Sequence, residues 1–216
     1  MNSELNRGFT LLELVVTMFV AGILIVIGVP SFVEFSRNNG ITAAANDLVS
    51  GLIAARSRAV QLQVPVTLCA SPNPTAANPT CSANGAGTNG GFIIWIDENG
   101  NFDPNGAPLL TDATDGNAVV DAGETVLLAR AAPGGTINVF GDSGYVSYGP
   151  NGFPRNAPAG PTATRVLYCD ERGNRVTHGG VSTARVVRID RTGRGQVVRE
   201  IAQVTADVAL IGAACP

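Results

Sequence analysis

FTLLELVVTMFVAGILIVIGV, Phe9 to Val29, is a run of 21 residues with one charged side chain, Glu13. As a helix rising 1.5 Å per residue it spans roughly the 30 Å of a bilayer's hydrocarbon core, so by length it is a transmembrane helix. A secretory signal has a clearly positive start and a shorter apolar core. Here the preceding MNSELNRG sets Arg7 against Glu4, and the apolar run is too long. A plain anchor leaves Glu13 unexplained, because an ionisable group inside lipid costs about 3 kcal/mol or more without a partner.

Past Pro30, a stripe of Ile41, Ala45, Leu48, Leu52, Ala55, Ala59 and Leu62 recurs at spacings of three and four, the pattern of an amphipathic helix docked by one face. Pro65 ends it, and Gly40 and Gly51 are weak points within it. Beyond Pro65 come short β-branched runs punctuated by Gly, Pro and Asn. These predict strands at Val66 to Ala70, Phe92 to Asp97, Thr125 to Arg130, Ile137 to Phe140, Val146 to Tyr148, Arg165 to Tyr168, Ala184 to Asp190 and Gln196 to Ile201, the last two joined by a turn at Arg191-Thr192-Gly193. The 26 Gly and 13 Pro suit such a loop-rich β domain. The expected fold is α+β: a long N-terminal helix, transmembrane over 9–29 and amphipathic over 30–64, packed on antiparallel sheets formed by residues 65–216.

The four cysteines, Cys69, Cys81, Cys169 and Cys215, all follow the apolar segment, as disulfides in an oxidising compartment would. Order along the chain pairs Cys69 with Cys81 and Cys169 with Cys215, although four cysteines allow three connectivities. Zinc is disfavoured: no pair has C-x-x-C spacing and His178 is the only histidine. All 14 basic residues are Arg, and they are unevenly spread. Residues 66–154 set Arg130 alone against eight acids, whereas residues 155–216 set nine Arg against five acids. Aromatic content is 6 %, which leaves no evident platform for stacking bases or sugars.

The string Arg7-Gly8-Phe9-Thr10-Leu11-Leu12-Glu13 resembles the prepilin cleavage and methylation motif of type IV pilins and type II secretion pseudopilins. The resemblance implies that residues 1–8 are a leader peptide, removed after Gly8 by a prepilin peptidase that then N-methylates Phe9. Glu13 would pair with the N-terminal amine of a neighbouring subunit during assembly, and Pro30 would bend or locally melt the helix. The order of later segments is similar to the FimT/GspH family of minor pilins and H-type pseudopilins: a cysteine-bearing strand at Val64 to Cys69, then Gly91 to Asp103, Ala122 to Leu128 and Ala184 to Arg194. The stretch between Asp103 and Ala122 departs from the family as an insertion. Membership implies a subunit of a pilus or pseudopilus, single-pass in the bacterial inner membrane with a periplasmic domain. Its partners would be other pilin or pseudopilin subunits, with neither enzymatic activity nor a cofactor.

Three further candidates stand beside this reading. Asp97-Glu98-Asn99-Gly100-Asn101-Phe102-Asp103 alternates oxygen-bearing side chains like a calcium loop, with Asp112, Asp115, Asp121 and Glu124 following. An EF-hand loop wants Gly sixth and Glu twelfth, where Phe102 and Pro108 stand, so the segment reads as a solvated polar loop. Arg185, Arg188, Arg191, Arg194 and Arg199 gather on the last hairpin, where they could contact phosphates. FimT-like pilins are associated with DNA capture through a GRxR pattern, but the matching residues here are Gly193-Arg194-Gly195-Gln196, without the second arginine. His178 lies alone in a Gly-rich stretch with no nucleophile motif around it.

Overall fold

The computed structural model describes residues 9–82, 91–97, 117–121, 123–157, 162–212 and 215. It divides into two bodies, residues 1–39 and 40–216, and the helix α1 (Leu11–Leu62) contributes to both.

In the first body, Thr10 caps the start of α1. Its hydroxyl oxygen accepts the N–H of Glu13 at 3.2 Å and its carbonyl accepts the N–H of Leu14 at 3.2 Å. Thr-x-x-Glu is the capping-box spacing, and a carboxylate in the first turn also favours the helix dipole. Pro30 lies inside α1, which continues past it, so here the proline takes one hydrogen bond out of the helix without ending it. The apolar side chains of this part are exposed, Leu11 by 82 % and Phe32 by 71 %. The segment's mean hydropathy reaches 2.6 over a window of which 0 % is buried. Such a surface cannot face water; it needs lipid or other helices around it.

In the second body, the buried stripe of α1 is Ile41, Ala45, Leu48, Gly51, Leu52, Ala55 and Ala59. Leu62, expected in that stripe, is 40 % exposed, because the helix ends at that residue. Gln63 closes the helix in a left-handed conformation (φ 59°), its N–H bonded to the Ala59 carbonyl. Gly51 is more than a weak point: a Cβ there would lie 2.7 Å from the Phe92 ring, so its absence lets a strand come close.

Two antiparallel sheets embrace this stripe. The first has the order β3-β2-β1-β5-β6, from β1 (Val66–Ser71), β2 (Gly91–Ile96), β3 (Thr125–Arg130), β5 (Tyr145–Tyr148) and the two-residue β6 (Pro154–Arg155). The second has the order β4-β7-β8-β9, from β4 (Asn138–Gly141), β7 (Arg165–Cys169), β8 (Val181–Ile189) and β9 (Gly195–Glu200). Alternation sorts each strand's side chains to two faces. Leu68, Ile94, Val146 and Tyr148 of one sheet and Tyr168, Val187 and Ile189 of the other meet α1 in one core. On the first sheet's outer face Cys69, Ile93, Trp95 and Tyr145 pack with Ala118 and Ala157.

The second sheet's outer face is covered by α2 (Ile201–Ile211), through Val204 against Leu167, Cys169, Ala184, Val186 and Val198. This helix corrects the expectation that residues 196–201 simply end in a strand. Gly212, at φ 70°, stops α2 in a left-handed cap whose N–H bonds the Val208 carbonyl. Cys169 is joined to Cys215 and Cys69 to Cys81, with Cα separations of 6.1 and 5.6 Å.

The β8–β9 turn ties the two sheets together. Gly193 (φ 78°) accepts a hydrogen bond from the Tyr148 hydroxyl at 2.8 Å, and a Cβ there would collide with the Tyr148 ring. Gly193→Ala is therefore expected to lower stability by about 1–3 kcal/mol, through left-handed strain plus overpacking. Cys215→Ser should cost about 4 kcal/mol, the loop-closure entropy of a 46-residue separation. Urea denaturation of each variant measures both.

Candidate functional site

The apolar helix carries the first candidate residues. Phe9 is 80 % exposed ahead of the capped first turn, and Glu13 occupies that turn as its acidic residue. Arg7 and Gly8 lie outside the described residues, as do Glu98 to Asp103, Asp112 and Asp115. The insertion between Asp103 and Ala122 lies outside them too, up to residue 116. His178 opens a 3₁₀ turn (His178–Gly180), but its side chain is not among those described.

The arginines of the last hairpin do not form one face. Arg188 projects towards α2 and donates through Nε to Asp207 at 2.7 Å and through Nη1 to Gln203 at 3.2 Å. Arg185, an odd number of residues away, turns to the opposite face. It is 8 % exposed, and its Nη1 donates to the carbonyls of Ser182 and Ala184. Burial, then the nearby charges of Arg199 and Arg172, pull its pKa below the usual guanidinium value. Arg191, Arg194 and Arg199 are exposed. The turn bearing Arg194 is held by Asp190, whose carboxylate accepts the Thr192 hydroxyl at 2.6 Å and the N–H groups of Thr192 and Arg194 at 2.8 and 3.0 Å. Those bonds, the Thr192 hydroxyl first, lower the Asp190 pKa. Gly195 beside it is a packing residue, since a Cβ would stand 2.9 Å from Leu52.

Asp207 was not foreseen as a site. It is 1 % exposed and accepts from Arg165 Nε at 3.0 Å as well as from Arg188, so one buried carboxylate pins α2 to β7 and β8. The signal lay in its place, a lone acid on the apolar stripe Val204, Val208, Ile211. Removing one member of a buried ionic group costs more than the group contributes, because the others stay desolvated. Asp207→Asn should destabilise the domain by about 3 kcal/mol in a denaturation experiment, while Asp47→Asn, in the exposed pair with Arg130, should cost under about 1 kcal/mol.

A second buried polar group lies on the first sheet's outer face. Asp97 Oδ2 accepts the Thr67 hydroxyl at 2.7 Å and the Ala118 N–H at 3.0 Å, and Thr67 also contacts the Ser147 hydroxyl at 2.9 Å. Burial raises the Asp97 pKa against the pull of these bonds and of Arg155. Glu124 Oε2 accepts the Asp121 N–H at 2.8 Å, and burial, then the charges of Asp97 and Asp121, push its carboxyl up to about 8. The Trp95 indole is near enough to favour the charged form of Glu124 but does not reach hydrogen-bond geometry. Among the described residues no three His, Cys, Asp or Glu side chains stand together as a metal-binding group.

A membrane-length helix with a lone glutamate in its first turn, continuing into an α+β domain whose two sheets clasp the helix, defines a pilin-like subunit. The chain belongs to the family described as Type II transport protein GspH, which it matches over residues 44–193, and residues 5–29 match the prokaryotic N-terminal methylation motif. Among solved structures it is similar to the Pseudomonas aeruginosa type IV minor pilin FimU in two crystal forms. One match has 18 % identity and a TM-score of 0.41, covering 76 % of this chain and 92 % of FimU. The other has 17 % identity and a TM-score of 0.37, covering 73 % and 91 %. No curated protein matches. The family and the motif make this a membrane-anchored structural subunit of a type IV pilus or a type II secretion system.

Proposed function

We propose that the chain is a minor pilin or pseudopilin, cut after Gly8 by a prepilin peptidase, N-methylated at Phe9, and drawn from the inner membrane into a filament that it helps to prime. The observation that carries this is the placement of Glu13 in the first turn of a helix whose next charged residue is Glu34. Cleavage at Gly8 sets a new amino group four residues ahead of that carboxylate. In the filament core the amine of one subunit neutralises Glu13 of the next, and opposite charges sharing a low dielectric fix the axial register. The domain from Gly40 onward is then periplasmic and makes lateral or tip contacts. As a structural subunit it needs neither catalytic residues nor a cofactor.

Intact-mass spectrometry of the membrane-extracted protein should find a mature terminus at a methylated Phe9. Glu13→Gln should leave insertion and processing unchanged while reducing incorporation into sheared filaments at least tenfold. A terminus elsewhere, or a Glu13→Gln subunit incorporated as the wild type, overturns the reading. A DNA-capturing role would fall on Arg191, Arg194 and Arg199, the three cluster arginines that stay exposed. It requires salt-dependent binding of duplex DNA that weakens in Arg194→Gln.

A further inference from the structure

We infer that the cavity between α1 and the two sheets is a binding site for a small neutral molecule, largely apolar and carrying one oxygen acceptor. The cavity has a volume of about 100 Å³. Leu48 of α1, Leu68, Phe92 and Val146 of the first sheet, and Val166 and Ile189 of the second line it. Protein interiors rarely keep voids larger than a water molecule. This one persists because Ala44, Ala70 and Ala163 are among its walls, at positions where larger side chains would fill it. It opens to solvent between Asp47, half-exposed on α1, and Ala131, exposed where the chain leaves β3.

Tyr168 stands in the cavity wall and is 4 % exposed. Of the three tyrosines, Tyr148 donates to the Gly193 carbonyl and Tyr145 accepts the Ala157 N–H, but among the described residues none bonds the Tyr168 hydroxyl. Burial, then the charge of Asp47, raise its pKa, so the group stays a donor. A buried hydroxyl without a partner is costly, and an acceptor oxygen brought into the cavity removes that cost. Asp47 is the one charged lining residue and is already paired with Arg130 at 3.3 Å, so a charged ligand would find no counter-charge there. A single water needs about two to four polar partners, whereas the walls around Tyr168 are largely aliphatic and aromatic carbon. Volume sets the size of the occupant. An apolar cavity of about 150 Å³ accepts benzene. One of about 100 Å³ that opens at a mouth suits a short-chain or five-membered-ring ketone, ester or alcohol.

The test uses the full-length protein in detergent, with cyclopentanone and methylcyclopentane as probes, equal in heavy atoms and differing in the acceptor oxygen. Methyl NMR signals of Leu48, Leu68 and Val146 report occupancy of the cavity. Cyclopentanone should shift them with a Kd on the order of 1 mM. Tyr168→Phe should weaken cyclopentanone binding about threefold to tenfold, the net worth of one hydrogen bond, and leave methylcyclopentane unchanged. Ala44→Leu, which fills the cavity, should abolish the response to both probes and so separates binding from partition into the micelle. Should that variant fail to fold, Ala163→Val takes its place. Absence of shifts in the wild type, or a cyclopentanone response that Tyr168→Phe or the filled cavity leaves unchanged, overturns the site. If neither probe binds and Ala44→Leu reduces incorporation into filaments, the occupant is a neighbouring subunit's side chain, and the small-molecule site is equally overturned.

Discussion

Two sheets compete for one helix face, and the domain exists because that face is made of small residues. Ala45, Gly51, Ala55 and Ala59 line the stripe together with Ile41, Leu48 and Leu52, and all are buried. A stripe of leucines would hold one sheet off while the other closed. With Gly51 against Phe92, strands of both sheets reach the same helix and a single core forms among all three. Each sheet's other face then needs its own cover. For the second sheet this is α2, tied by Cys169–Cys215; for the first it is Ala118, Ala157 and the Cys69–Cys81 segment.

The charged groups inside the domain act as locators more than as reserves of stability. Asp207 holds two guanidinium groups from adjacent strands, so α2 has one position along β7 and β8. An apolar residue there would pack as well without specifying that position, the trade expected of buried ionic groups. Asp142 acts similarly at the start of β7, accepting the N–H groups of Thr164 and Arg165.

Much of the architecture was legible in the sequence, because period-two β-branched runs and their Gly, Pro and Asn punctuation are local. β3 has the expected bounds, Thr125–Arg130, and the other foreseen strands begin and end within a few residues of theirs. α2 escaped because Ile201-Ala202-Gln203-Val204 continues the apolar character of β9, although Val204, Val208, Ile211 and the following Gly212 carry a helix's spacing and stop. The two-residue β6 is too short to leave a pattern. Glu13 was legible as the acid of the helix's first turn because that reading depends only on a charge within an apolar run. The arginine cluster was not, because alternation sends Arg185 and Arg188 to opposite faces and the partner Asp207 lies on an unforeseen helix. The grouping of Asp97 with Thr67 and Ala118 depends on strand pairing and on a chain closure across many residues, which no local pattern reports.

That closure has a consequence for how the protein can vary. The closure is made by one hydrogen bond between Asp97 and Ala118 and by the pairing of β2 with β3. Nothing in those contacts counts the residues in between. Doubling a loop's length adds only about 0.6 kcal/mol of closure entropy. The stretch that joins the two strands is therefore free to lengthen or shorten between relatives at little cost in stability, while the register of the strands at its two ends is kept.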